Sequence, residues 1–204
     1  MSKNQAKKNS SMTRCINGEQ IRAMNGEGNE RKFVLSFSSE EPYARYFGRE
    51  ILDHKDGAVN LSRLEQIGCV LFNHNRDVVI GSISRVWTEN NRGYAEIEFD
   101  TDEESEKIYQ KVKSGTLKGV SVGYRVDVWE EVLTNKMSED GRFSGPASIA
   151  RKWMPYEISI VSVPADETVG VGRELEEIEE QRKLPSGRSL TIYESQLKVN
   201  KNYI

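Results

Sequence analysis

Gly119-Val120-Ser121-Val122-Gly123-Tyr124-Arg125-Val126-Asp127-Val128 is the most regular strand pattern in the chain. Side chains alternate across a strand, so Val120, Val122, Tyr124, Val126 and Val128 form one apolar face. Ser121, Gly123, Arg125 and Asp127 project to the other side. Gly119 and Gly123 bracket Ser121 on its own face, which leaves the hydroxyl unshadowed and lets a second backbone come close. Most strand serines are structural; this setting makes Ser121 a candidate nucleophile. It is not the strand-to-helix nucleophile elbow, because a helix precedes it and a strand carries it.

The helix before it runs from about Thr101 to Gly115. Thr101 is the expected cap and Glu104 sits at the capping-box position. Ser105, Ile108, Tyr109 and Val112 share one face, and Gly115 supplies the stop. Further upstream, residues 80–87 and 94–99 flank Thr88-Glu89-Asn90-Asn91-Arg92-Gly93, a hairpin signal. Residues 33–38 alternate and start the domain. Residues 67–72 are apolar on both faces, as in a central strand. That run ends in Leu71-Phe72-Asn73-His74. Downstream, Glu157-Ile158-Ser159-Ile160-Val161-Ser162-Val163-Pro164-Ala165 returns to strand until Pro164 ends it.

Three chemical groups therefore sit on separate strands. His74 has an imidazole suited to proton transfer near neutral pH. Glu157 is a carboxylate on the side opposite Ile158 and Ile160. With Ser121 they are the parts of acyl-transfer chemistry: nucleophile, base and orienting acid. Alone, His74 reads as a strand-end histidine and Glu157 as an edge-strand charge; Glu96 and Glu98 are rivals for the carboxylate. The other histidine, His54, lies in the polar stretch Asp53-His54-Lys55-Asp56-Gly57.

The 204 residues suit one domain of ordinary size with an appended tail. A net charge of -3 argues against a nucleic-acid binder, which needs a basic excess. No run is long enough to span a membrane, and Met1-Ser2-Lys3-Asn4-Gln5 lacks the apolar stretch of a secretory leader. Cys69 reads as a buried free thiol and Cys15 as part of a polar leader; two such cysteines make no disulfide framework and no zinc site. The expected organisation is a mobile polar arm over residues 1–30 and a catalytic domain over 31–170. A flexible insertion is expected at 130–153, and a charged, partly helical tail over 171–204.

The ordered motifs resemble the prohead (capsid maturation) proteases of tailed bacteriophages, distant relatives of the herpesvirus assemblin serine peptidases. The first block is Leu71-Phe72-Asn73-His74 followed by Ile80-Gly81-Ser82-Ile83. The second is Lys113-Ser114-Gly115-Thr116-Leu117 and then the stretch from Gly119 to Arg125. The third runs from Glu157 to Ala165. The resemblance implies a mainly β (α+β) fold, an antiparallel β-barrel-like core with helices packed outside. It also implies a serine endopeptidase with Ser121 as nucleophile, His74 as base and Glu157 as third member, needing no metal or organic cofactor. Its substrate would be the major capsid protein or its scaffold segment, with self-association and self-cleavage, inside the immature capsid (prohead) in the host cytoplasm. Oxyanion donors are sought in Arg151 or a backbone N–H of residues 141–150. The rival readings are a catalytically inactive capsid-assembly scaffold and a peptide-binding module of the same fold.

Overall fold

The computed structural model describes residues 11–16 and 21–162, and the tail expected over 171–204 lies outside them. The strands are β1 (Met12–Ile16), β2 (Ile21–Ala23), β3 (Lys32–Ser39), β4 (Tyr43–Arg45), β5 (Gly48–Leu52) and β6 (Cys69–Phe72), followed by β7 (Asn75–Glu89), β8 (Arg92–Phe99), β9 (Gly119–Val132) and β10 (Ala147–Val161). Two helices join them, α1 (Ser62–Ile67) and α2 (Glu103–Lys113). All ten strands form one sheet, in the order β1-β9-β10-β6-β7-β8-β3-β2, with β5 on β10 and β4 on β5. The sheet curls: β3, near one end of that order, packs against β9 and β1 at the other.

The mainly β expectation holds, but the sheet is mixed rather than antiparallel. β10 runs antiparallel to β9 and parallel to β5 and β6. Such long-range parallel pairings leave no local turn signal. The predicted hairpin is present, with Asn90 and Asn91 as a two-residue turn at φ values of 50° and 58°. Positive φ at both central positions matches the twist of the flanking strands.

α2 buries the expected face of Ser105, Ile108, Tyr109 and Val112. Tyr109 meets Phe33 and Phe99, which themselves pack edge to face at 5.5 Å. Its cap is Asp102 rather than Thr101; the Asp102 carboxylate accepts from the N–H groups of Glu104 and Ser105. The apolar face of β9 is buried through Val126, but Val128 is 44% exposed. Register shifts against β10 at residues 150–153 break the alternation there.

Two segments are more ordered than their composition suggests. Residues 133–146 are the loop of a long β9–β10 hairpin that still pairs at Val132 and Ala147. Charge holds it: Arg151 contacts Asp53 at 2.7 Å and Asp140 at 2.9 Å, and Arg142 reaches Glu40 at 3.0 Å and Asp53. Residues 1–30 contain β1 and β2, and within β1 both Met12 and Arg14 are buried. The mobile arm expected there does not extend over those strands.

Gly81, on β7, has no room for a side chain, since a Cβ would lie 2.3 Å from the backbone oxygen of Glu98 on β8. Gly81→Ala should therefore destabilise the domain by about 1–3 kcal/mol, read as a lower urea midpoint with unchanged slope. An unchanged midpoint would mean that β8 moves aside at no cost.

Candidate active site

β6 ends at Phe72 and β7 starts at Asn75, so Asn73 and His74 make the whole reversal, at φ values of 51° and 59°. Left-handed backbone is unusual for histidine, and the neighbours tie the turn down. Asn73 donates its N–H to the Ile160 carbonyl at 2.9 Å, and its Oδ1 accepts from Ser162 N at 2.9 Å. The His74 N–H donates to Ser159 Oγ at 3.2 Å. The imidazole is thereby turned back over the sheet.

Beneath it, β9 and β10 bring their polar positions together. Ser159 stands opposite Ser121, and Glu157 opposite Gly123. A register shift between Pro155 and Glu157 inserts Tyr156 as an extra residue. The Tyr156 ring lies over Gly123, where a Cβ would meet it at 2.9 Å. Gly123 thus makes room for this ring, and the backbone of β1 pairs beside it at Thr13.

The structure brings His74, Ser121 and Glu157 into one chain of contacts. His74 Nε2 lies 2.8 Å from Ser121 Oγ, and His74 Nδ1 contacts Glu157 Oε1. Ser159 Oγ donates to Glu157 Oε1 at 3.1 Å. Glu157 on Nδ1 fixes the tautomer of the neutral ring, leaving the Nε2 lone pair toward the serine. Such a set can take a proton from a hydroxyl and hold the resulting imidazolium.

The site's electrostatics follow from these contacts. His74 is pushed up to about 9, first by its hydrogen bond with the Cys15 thiol and then by Glu157, against the opposing effect of burial. Burial drives Glu157 up, but the bond and charge of His74 outweigh it and hold the carboxyl below its ordinary value. His54 is elsewhere: buried, 2.7 Å from Ser38 Oγ and 2.9 Å from the Leu52 carbonyl, with burial pushing it down to about 4. Glu96 is half-buried and Glu98 exposed on β8, and the carboxylate on His74 is that of Glu157.

Arg151 is committed to Asp53, Glu130 and Asp140, which removes it as an oxyanion donor; residues 141–150 lie in the same distant hairpin. Cys69 is only half-buried, in a cleft of 280 Å³ beside Glu157 that Arg63 and Arg76 also line. Among the described residues, no group of three or more His, Cys, Asp or Glu side chains is placed to hold a metal ion.

Two site residues escaped the sequence reading. Ser159 shares a face with Glu157 two positions on, so its presence in the Glu-x-Ser motif was a usable signal. Cys15 had none, because only the pairing of β1 with β9 brings it opposite Ser121.

Residues 27–183 match the family model described as the caudovirus prohead serine protease. The chain belongs to that family. The matched stretch contains His74, Ser121 and Glu157 and begins after β1. Over 143 residues, 68% of its length, the chain is 36% identical to a protein named major capsid protein from Halomonas phage phiHAP-1. It spans 23% of the length of that relative. Among solved structures, it is similar to the capsid assembly protease of bacteriophage T4. The TM-score is 0.48 at 13% identity, covering 76% of this chain and 98% of that one.

With two histidines in the sequence, their titrations are separable. Imidazole NMR signals should show His74 titrating near 9 and His54 near 4. Cys15→Ala should lower the His74 value and leave His54 unmoved. Since folding raises the His74 value above 6.5, its stabilising contribution is full below that pH and is lost as pH rises through about 9. Two histidines titrating together near 6.5 would show that these contacts do not form.

Proposed function

We propose that this chain is a serine endopeptidase of phage capsid maturation, with Ser121 as nucleophile, His74 as general base and Glu157 as the orienting carboxylate. The observation that supports it most directly is the imidazole of His74 held between the other two, with Nε2 2.8 Å from Ser121 Oγ and Nδ1 on Glu157. Neutral His74 takes the Ser121 proton as the oxygen attacks a peptide carbonyl. It then returns the proton to the leaving amine, and water releases the acyl group by the same route. Glu157 steadies the imidazolium between these steps, and Ser159 steadies Glu157 and the turn that carries His74.

The family description and the relative named major capsid protein support a capsid or scaffold segment as substrate, inside the immature shell. Self-association and self-cleavage belong to the same proposal. An inactive scaffold would have no need to keep all three groups in hydrogen-bonded order.

The test is trimming of a co-expressed capsid protein, followed by intact mass. Ser121→Ala should abolish trimming while the fold is retained by circular dichroism. His74→Ala should lower turnover by roughly 10⁶-fold and Glu157→Gln by roughly 10⁴-fold, because the glutamate transfers no proton. Trimming retained in Ser121→Ala would remove the serine from the chemistry. A larger loss for Glu157→Gln than for His74→Ala would contradict the division of roles.

A further inference from the structure

Ser121 has no exposed surface, and the strand paired along its open side is β1. Cys15 stands directly opposite Ser121 in antiparallel register. The Ser121 hydroxyl lies 3.0 Å from the carbonyl oxygen of Arg14, and the Cys15 thiol hydrogen-bonds His74. The serine and the histidine thus each touch one of the two residues that share the Arg14–Cys15 peptide bond. The family match covers residues 27–183, and β1 lies before it.

The Arg14 side chain points the same way. It is buried, on the face of Val122 and Tyr124, with its guanidinium 5.2 Å from the Tyr43 ring centroid and Nη2 donating to the Glu41 carbonyl. The buried carboxylate of Glu50 attracts it, while Glu50 is itself held by the Tyr124 hydroxyl and by Arg45 at 3.4 Å. Arg45 also donates to the Thr13 carbonyl at 2.7 Å, fixing the strand beside Arg14. Yet Arg14 Nε and Nη1 and Glu50 Oε2 are buried with no hydrogen-bond partner. Permanent core arginines are ordinarily bonded at every donor. This one is matched to its surroundings by charge, with Glu50 opposing its burial and Nη2 as its bonded donor.

We propose that β1 is the chain's own substrate, seated in the cleft by strand pairing, and that Ser121 cuts the Arg14–Cys15 bond with Arg14 in a subsite for a basic residue. The inference rests on the peptidase reading above and adds its bond and its specificity. Ser121 Oγ bonds to the Arg14 carbonyl carbon while its proton passes to His74. The carbon–nitrogen bond to Cys15 then breaks, and that proton goes to the Cys15 nitrogen as the new amino terminus. Water next hydrolyses the ester, leaving Arg14 as a free carboxylate and restoring the Ser121 hydroxyl. A hydroxyl bonded to a carbonyl oxygen needs a displacement of only about 1 Å to come within the roughly 3–3.5 Å of the carbon that attack requires. Strand pairing supplies the binding and Glu50, with the two tyrosines, the selection.

The experiment is expression of the 204-residue chain with the capsid protein, as wild type, Ser121→Ala, Arg14→Lys and Arg14→Asp, with intact mass and amino-terminal sequencing of every product. The expected result is a wild-type product beginning at Cys15 that is absent from Ser121→Ala. Arg14→Lys should still yield it, and Arg14→Asp should slow it by about 100-fold or more, since a carboxylate would face Glu50. Serine-dependent trimming of the capsid protein with the Arg14–Cys15 bond intact would overturn this inference and leave the peptidase reading standing. No serine-dependent cut in either protein would overturn both. Undiminished cutting in Arg14→Asp would overturn the basic subsite.

Discussion

The pairing of β9 with β10 is the constraint on which the site depends. Its register places Ser121 opposite Ser159 and Gly123 opposite Glu157, so three polar groups and one glycine share a face between two apolar strands. A slip of one residue would carry Ser121 to the side of Val120 and Val122, both fully buried. The hydrophobic effect therefore holds the register: exposing either valine would cost about 1.5–3 kcal/mol. The polar chemistry is carried on a frame that only the apolar face specifies. The bulge at Tyr156 then sets where along that face Glu157 falls, and the turn at Asn73-His74 brings the imidazole to it.

Much of this was legible from residue pattern. Period-two alternation located Ser121, the apolar run before His74 located β6, and the 3.6-residue repeat located the packed edge of α2. These are local signals backed by burial, and burial is what decides. The parallel pairings of β10 with β5 and β6 were not legible, because nothing in the sequence near either strand encodes a partner about a hundred residues away. Residues 133–146 read as flexible because their composition is polar and glycine-containing. Their order comes from Asp53, Asp140, Arg142 and Arg151, drawn from three separate stretches of chain.

β1 was hidden for a different reason. Arg14 is a buried charge, so the stretch around it looks like a solvated arm by any hydropathy reading. Only the chemistry of the cavity, with Glu50, Tyr43 and Tyr124, makes burial of that arginine tolerable. Burial pushes the Arg14 guanidinium down from its usual range, and Glu50 is the first of the groups that oppose this. Each buried donor left without a partner costs about 1–3 kcal/mol, which offsets part of what the pairing of β1 with β9 contributes.

The Ser121 hydroxyl has a single proton and two acceptors in reach, His74 Nε2 at 2.8 Å and the Arg14 carbonyl oxygen at 3.0 Å. When His74 carries both of its protons, Nε2 must donate to the serine, and the serine proton turns to the carbonyl. Under the mechanism proposed above that state is idle, because a doubly protonated ring cannot take the serine proton. When His74 loses a proton, the serine donates to Nε2 instead, and its lone pairs become free to face the carbonyl carbon. Cys15 and Glu157 both favour the idle state by raising His74. Glu157 acts from β10 and Cys15 from β1, the two strands that flank β9.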